Sequence, residues 1–155
     1  MVSHVAQAVA SRDRAQCRVP GPLPAVGLAG GTPCEPAAGI DPYLVQRLAG
    51  RRDEMLLCLF YDGAGAFRAE RSWQGGPSSV AADRRDIMRA TAASDARYVI
   101  LAHNHPSDSA RPSARDVDAT RHLYRLFAAL GVTLVDHAIV ACDGLTFSFR
   151  MAGLI

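Results

Sequence analysis

No run of eighteen apolar residues occurs in this 155-residue chain, so no segment is long enough to cross a bilayer as a helix. The first residues lack a charged start followed by an unbroken apolar stretch, which argues against a secretory signal. Cysteine is sparse: Cys17, Cys34, Cys58 and Cys142 form no C-x-x-C pair and no paired spacing, so the expected compartment is the reducing cytoplasm. Basic charge is not concentrated either. Of the net charge of +2, residues 1–39 supply +1 (Arg12, Arg14 and Arg18 against Asp13 and Glu35), and the rest of the chain is nearly neutral. With no basic stripe and few aromatics to stack on bases, independent nucleic-acid binding is not expected. There is no internal repeat, and no H-E-x-x-H helix of the kind that carries a zinc protease site.

What is present is enough chain for one domain with a real core. Residues 1–39 read as a separate, poorly ordered tail. Pro20-Gly21-Pro22-Leu23-Pro24 and Gly30-Gly31-Thr32-Pro33 interrupt regular structure, and the Ala/Gly/Pro mixture has few large apolar residues to offset the entropy of ordering. The domain is expected over 40–155. It opens with a helix over Ile40–Arg51, with Asp41 as N-cap and Pro42 at the first position. Met55–Tyr61 is apolar on both faces and reads as a central strand covered on both sides. After the Asp62-Gly63-Ala64-Gly65 turn, Ala66–Trp73 returns antiparallel. A helix is predicted over about Ala82–Ser94 and a strand over Arg97–Ala102. A second helix follows Ser113, with Val117, Thr120, Leu123, Leu126, Phe127 and Leu130 on one stripe and Gly131 as its stop. Three short strands are predicted to finish the chain: Val132–Asp136, His137–Cys142 and Leu145–Phe149. The fold class is α+β, a mixed sheet with helices packed on it.

The informative stretch begins at the end of the Tyr98–Ala102 run. His103 and His105 are two apart, so on an extended strand both imidazoles face the same way. Pro106 stops the strand, a polar loop follows, and Ser113 opens a helix whose first turn carries Asp116. Two histidines and a carboxylate from a strand end and a helix start make a three-ligand set for a divalent metal. A fourth position stays open for water, as in catalytic zinc sites. Ser113-x-x-Asp116 also reads as a capping box, and a capped helix start is a rigid mount for a ligand.

The spacing His103-x-His105, seven residues, Ser113, two residues, Asp116 resembles the JAMM motif of the MPN/JAB metallopeptidase family. The flanking His103-Asn104-His105-Pro106-Ser107 and Arg111-Pro112-Ser113 look like its RadC-related bacterial branch, and the likeness runs from about Glu54 to the C-terminus. The resemblance implies an MPN/JAB-like, cytidine-deaminase-like layered domain with a curved mixed sheet flanked by two helices. It implies Zn2+ held by His103, His105 and Asp116, and Ser113 donating to the oxyanion of a tetrahedral intermediate. A general base is still needed, and the residues alone leave Glu54 and Glu70 both open. The resemblance favours Glu54, since Glu54-Met55-Leu56-Leu57-Cys58-Leu59-Phe60-Tyr61-Asp62 looks like the branch's glutamate before an apolar strand. Asn104 points away from the histidines by alternation and reads as structural. Asp136-His137 echoes the family's C-terminal half and reads as a supporting pair behind the ligands. Family members usually carry glycine where this chain has Asp108, a residue that tolerates left-handed backbone better than most.

The expected function is that of a zinc metallopeptidase or isopeptidase hydrolysing an amide bond in an unidentified peptide or isopeptide. Two alternatives stand beside it: a DNA-repair-associated RadC-like protein, and a catalytically silent MPN scaffold. Many relatives carry an N-terminal helical DNA-binding-like region, which this chain is expected to be too short to hold. The sequence does not specify an oligomeric state.

Overall fold

The computed structural model describes residues 27–29, 32–35, 40–76 and 82–155. Most of the segment read as a tail lies outside the described residues. Its described part is a two-stranded antiparallel sheet, β1 (Gly27–Ala29) with β2 (Thr32–Glu35).

From residue 40 the order is α1 (Ile40–Leu48), β3 (Met55–Tyr61), β4 (Phe67–Gln74), α2 (Arg84–Ala93), β5 (Tyr98–Asn104), α3 (Ala114–Ala129), β6 (Thr133–Val140) and β7 (Thr146–Ser148). The last five strands form one open mixed sheet in the order β4-β3-β5-β6-β7. All pairs are antiparallel except β5–β6, which are parallel and joined through α3. The fold is α+β, as its element pattern predicts.

β3 lies between β4 and β5, and each of its seven residues is buried. Its alternate side chains feed two cores. Leu57, Leu59 and Tyr61 pack with Tyr43, Leu44 and Leu48 of α1 on one face. Leu56, Cys58 and Phe60 pack with Ile87 of α2 and with Leu123 and Phe127 of α3 on the other. A strand apolar on both sides therefore has both sides covered.

The C-terminal strands differ from expectation. Val132–Asp136 and His137–Cys142 are not two strands but one, β6. Asp136 needs no turn to satisfy its carboxylate, which accepts from the backbone N–H of His137 and Arg150 and from the Ser148 hydroxyl. The pairing with β5 shifts register between Val99↔Leu134 and Ile100↔Asp136, leaving Val135 as an extra residue. The bulge changes the phase of the strand. Leu134 joins the core beneath α2 and α3, and His137, three residues later, also faces α3 through a hydrogen bond to Thr120.

Candidate metal centre

β5 runs two residues further than predicted and ends at Asn104, so His103 is its penultimate residue. His105 follows immediately, and its backbone N–H donates to the Val140 carbonyl at 2.9 Å, which pins it to the end of β6. α3 starts beside these strand ends. Ser113 is its N-cap in a full capping box: the Asp116 N–H donates to Ser113 Oγ at 3.2 Å, and Asp116 Oδ2 accepts the Ser113 N–H at 2.8 Å. The same oxygen accepts the Ser113 hydroxyl at 2.6 Å. In this state the Ser113 proton is spent on Asp116.

These elements bring together the three residues expected to hold a metal. His103 Nε2 lies 3.1 Å from His105 Nε2 and 3.5 Å from Asp116 Oδ1, and His105 Nε2 lies 3.4 Å from Asp116 Oδ2. Donors bound at 2.0–2.1 Å to a tetrahedral zinc stand about 3.3 Å apart. The observed separations fit that figure. Among the described residues, His103, His105 and Asp116 form a group able to hold a metal ion. The proton positions favour a cation as well. His105 Nδ1 faces the Ser109 carbonyl at 2.9 Å; a carbonyl only accepts, so the ring hydrogen belongs on Nδ1 and Nε2 presents a lone pair.

Burial drives the His103 pKa down to about 4, against the pull of the Asp116 charge and with a further push from His105. At neutral pH this ring is therefore uncharged and free to ligate. Burial works to raise the Asp116 pKa, but the hydrogen bonds from Ser113 and the two neighbouring histidines together outweigh it. The carboxyl sits below its ordinary value. Behind His103 stands His137, whose Nε2 is 2.8 Å from His103 Nδ1 and whose pKa is held well below the usual histidine range by burial, then by the two other histidines.

The group opens into a cleft of about 690 Å³ whose walls include Leu56, Ile87 and Leu123. Glu54 lines the same cleft. It precedes Leu56 by two residues, and Leu56 pairs with His103 across β3 and β5, so the alternation carries Glu54 to the side of the sheet that bears the histidines. Glu70, the other candidate base, pairs with Leu59 and so faces α1. There it binds Arg47 at 2.5 Å and accepts from the Tyr43 hydroxyl. Asn104 does point away from the histidines. Asp108 is not among the cleft-lining residues, and among the described non-glycine residues only Asp95 has positive φ, so the left-handed backbone envisaged at 108 is not used.

Of the supporting pair Asp136-His137, only His137 reaches His103; Asp136 is bound to Ser148 and Arg150. Thr120, read as part of the apolar stripe of α3, is buried as expected, but its hydroxyl is a working group at 2.6 Å from His137 Nδ1. Its helical spacing marked it as inward-facing, and nothing in the sequence marked its partner.

Comparison with known proteins gives a match to the RadC-like JAB domain over residues 35–154. A UPF0758 protein of Burkholderia thailandensis is 38% identical over 117 residues, covering 75% of this chain and 44% of the relative. A UPF0758 protein of Porphyromonas gingivalis is 38% identical over 116 residues, covering 75% and 50%. One from Paraburkholderia xenovorans is 36% identical over 115 residues, covering 74% and 45%. The chain spans about half the length of the curated relatives it matches.

Proposed function

The chain belongs to the RadC-like JAB domain family, and from that membership we propose that it is a zinc-dependent hydrolase of amide bonds, a metallopeptidase or isopeptidase of the JAMM type. The observation that carries the reading is the convergence of His103 Nε2, His105 Nε2 and an Asp116 carboxylate at separations suited to one tetrahedral ion, in a cleft that Glu54 also lines. His103, His105 and Asp116 would hold the zinc. When bound, zinc supplies Lewis acidity and an activated water near neutral pH.

The chain's own residues supply the rest. Glu54 takes the proton of the attacking water and delivers it to the departing amine nitrogen, the work of a positioned general base and acid. Ser113 exchanges its bond to Asp116 for one to the substrate oxyanion as negative charge develops there. Leu56, Ile87 and Leu123 give the substrate an apolar surface that keeps bulk water from the scissile bond. We place this activity in residues 40–155 with 1–39 outside it; in its support, the family match over residues 35–154 takes in all of that span but its last residue. The substrate is a peptide or isopeptide, and the setting is cytoplasmic. Among the described residues no helix is long and apolar enough to cross a membrane.

The test is metal analysis of the purified protein joined to a peptide-library cleavage screen with and without chelator. One equivalent of zinc is expected, with cleavage lost on chelation and restored by added zinc. His103→Ala and Asp116→Ala should each abolish zinc retention. A wild-type protein that holds no divalent metal and takes none up would end this reading. A protein that holds zinc but cleaves nothing would favour the silent scaffold.

A further inference from the structure

Four groups, two of them on His103 and Asp116 themselves, form an unbroken chain of hydrogen bonds whose direction can be worked out atom by atom. Thr120 Oγ1 lies 2.6 Å from the carbonyl oxygen of Asp116, one turn earlier in α3. A carbonyl cannot donate, so the Thr120 hydroxyl hydrogen is committed to it. Thr120 Oγ1 also lies 2.6 Å from His137 Nδ1. With its hydrogen spent, the oxygen can only accept here, and the His137 ring hydrogen must sit on Nδ1. A neutral imidazole has one N–H, so His137 Nε2 is a bare acceptor. His103 Nδ1, 2.8 Å away, must then be the donor. That leaves the lone pair of His103 on Nε2, the atom aimed at Asp116 and His105.

We propose that Thr120 and His137 are positioning residues that set the tautomer of His103, so that its Nε2 lone pair is presented to the metal before the metal arrives. The inference rests on the reading of this site as a metal centre. The relay starts at the backbone of the third ligand, Asp116, and ends at the first, His103, crossing from α3 to β5 by way of β6. His137 has little freedom to break it. The residue is buried, and its ring stacks on Phe149 with centroids 4.8 Å apart and planes 15° from parallel.

The relay makes a sharp claim about one hydroxyl. In Thr120→Val, His137 Nδ1–H would face a methyl group, and a buried donor without a partner is costly. Moving the hydrogen to Nε2 relieves that cost, because His137 then donates to His103 Nδ1. His103 must in turn carry its hydrogen on Nε2, pointing into the position the metal would occupy. A zinc ion would have to displace this arrangement in order to bind.

Long-range 1H–15N NMR of the full chain, metal-free, reads the ring tautomers directly, and competition with a chromogenic chelator reads zinc affinity. Wild type and Thr120→Ser should both show His103 and His137 protonated on Nδ1. Thr120→Val should move the His103 hydrogen to Nε2 and weaken zinc binding by about 10–100-fold, the usual effect of losing a partner behind a metal ligand. Restoration by serine separates the relay from simple packing, since serine restores the hydroxyl and not the methyl. If Thr120→Val keeps both the wild-type His103 tautomer and the wild-type affinity, the relay is wrong. Should the valine variant not fold, the wild-type spectrum still decides: a His103 hydrogen on Nε2 overturns the proposal. A wild-type chain that shows the expected tautomers but binds no zinc would refute the metal reading and leave the hydrogen-bond chain standing.

Discussion

Asn104 holds Met55: its Oδ1 accepts the Met55 backbone N–H at 2.7 Å, and its Nδ2 donates to the Asp53 carbonyl at 3.1 Å. One buried carboxamide thus grips the backbone on both sides of Glu54. Asn104 also sits between His103 and His105 in the chain, so this side chain, together with the β3–β5 ladder, ties the backbone around Glu54 to the histidine pair. Asn104→Ala would leave the buried Met55 N–H without this acceptor, at a cost of roughly 1–3 kcal/mol. Urea unfolding measures it, and a loss under about 0.5 kcal/mol, the scale of an ordinary surface change, would show that the grip contributes little.

Glu54→Gln keeps the side-chain shape but cannot accept a proton. Zinc content and fold should survive, while turnover falls by about 10²–10⁴-fold. Glu70→Gln removes the charge that faces Arg47 and should lower stability slightly while leaving turnover near wild type. The reverse outcome would move the base to β4. Loss of zinc in Glu54→Gln would make Glu54 part of the metal's surroundings instead.

The metal-free protein should lose stability as pH falls from about 6.5 toward 4. Burial puts the His103 pKa at about 4 in the fold, below its ordinary value in the unfolded chain. Across that window the unfolded state binds a proton that the folded state refuses, so the sign is stability rising with pH. His137, also depressed by burial, acts in the same direction. The loss from His103 alone is on the order of 3 kcal/mol. Denaturant unfolding at pH 7 and pH 4.5 tests this, and equal midpoints would contradict it.

Duplex DNA should bind the isolated chain no better than a neutral control protein at physiological salt, given a net charge of +2. Fluorescence anisotropy across a salt series is the measurement. Submicromolar affinity with a steep salt slope would revive the DNA-repair reading.

Local pattern sufficed wherever a residue's role depends on near neighbours. Period-two alternation put His103 and His105 on one side, and Ser113-x-x-Asp116 announced a capped helix start, because strand and helix geometry over a few residues is nearly invariant. The double-sided apolar pattern of Met55–Tyr61 likewise marked the central strand. Which face of the sheet Glu54 and Glu70 each take was another matter. Each is an acid beside apolar residues, and their faces are assigned only by pairing across strands: Leu56 opposite His103, Glu70 opposite Leu59. The resemblance placed His137 behind the histidines, but that Asp136 would turn away from them was hidden for a related reason. The extra residue at Val135 shifts the phase of β6, and whether a strand bulges depends on its partner's register rather than on its own alternation. Thr120 could be assigned to a buried face, but the partner of its hydroxyl was decided by how α3 lies on β6. The sequence by itself determined which residues could ligate a metal; the packing of α3 and β6 decided which nitrogen of His103 faces His105 and Asp116 and which faces His137.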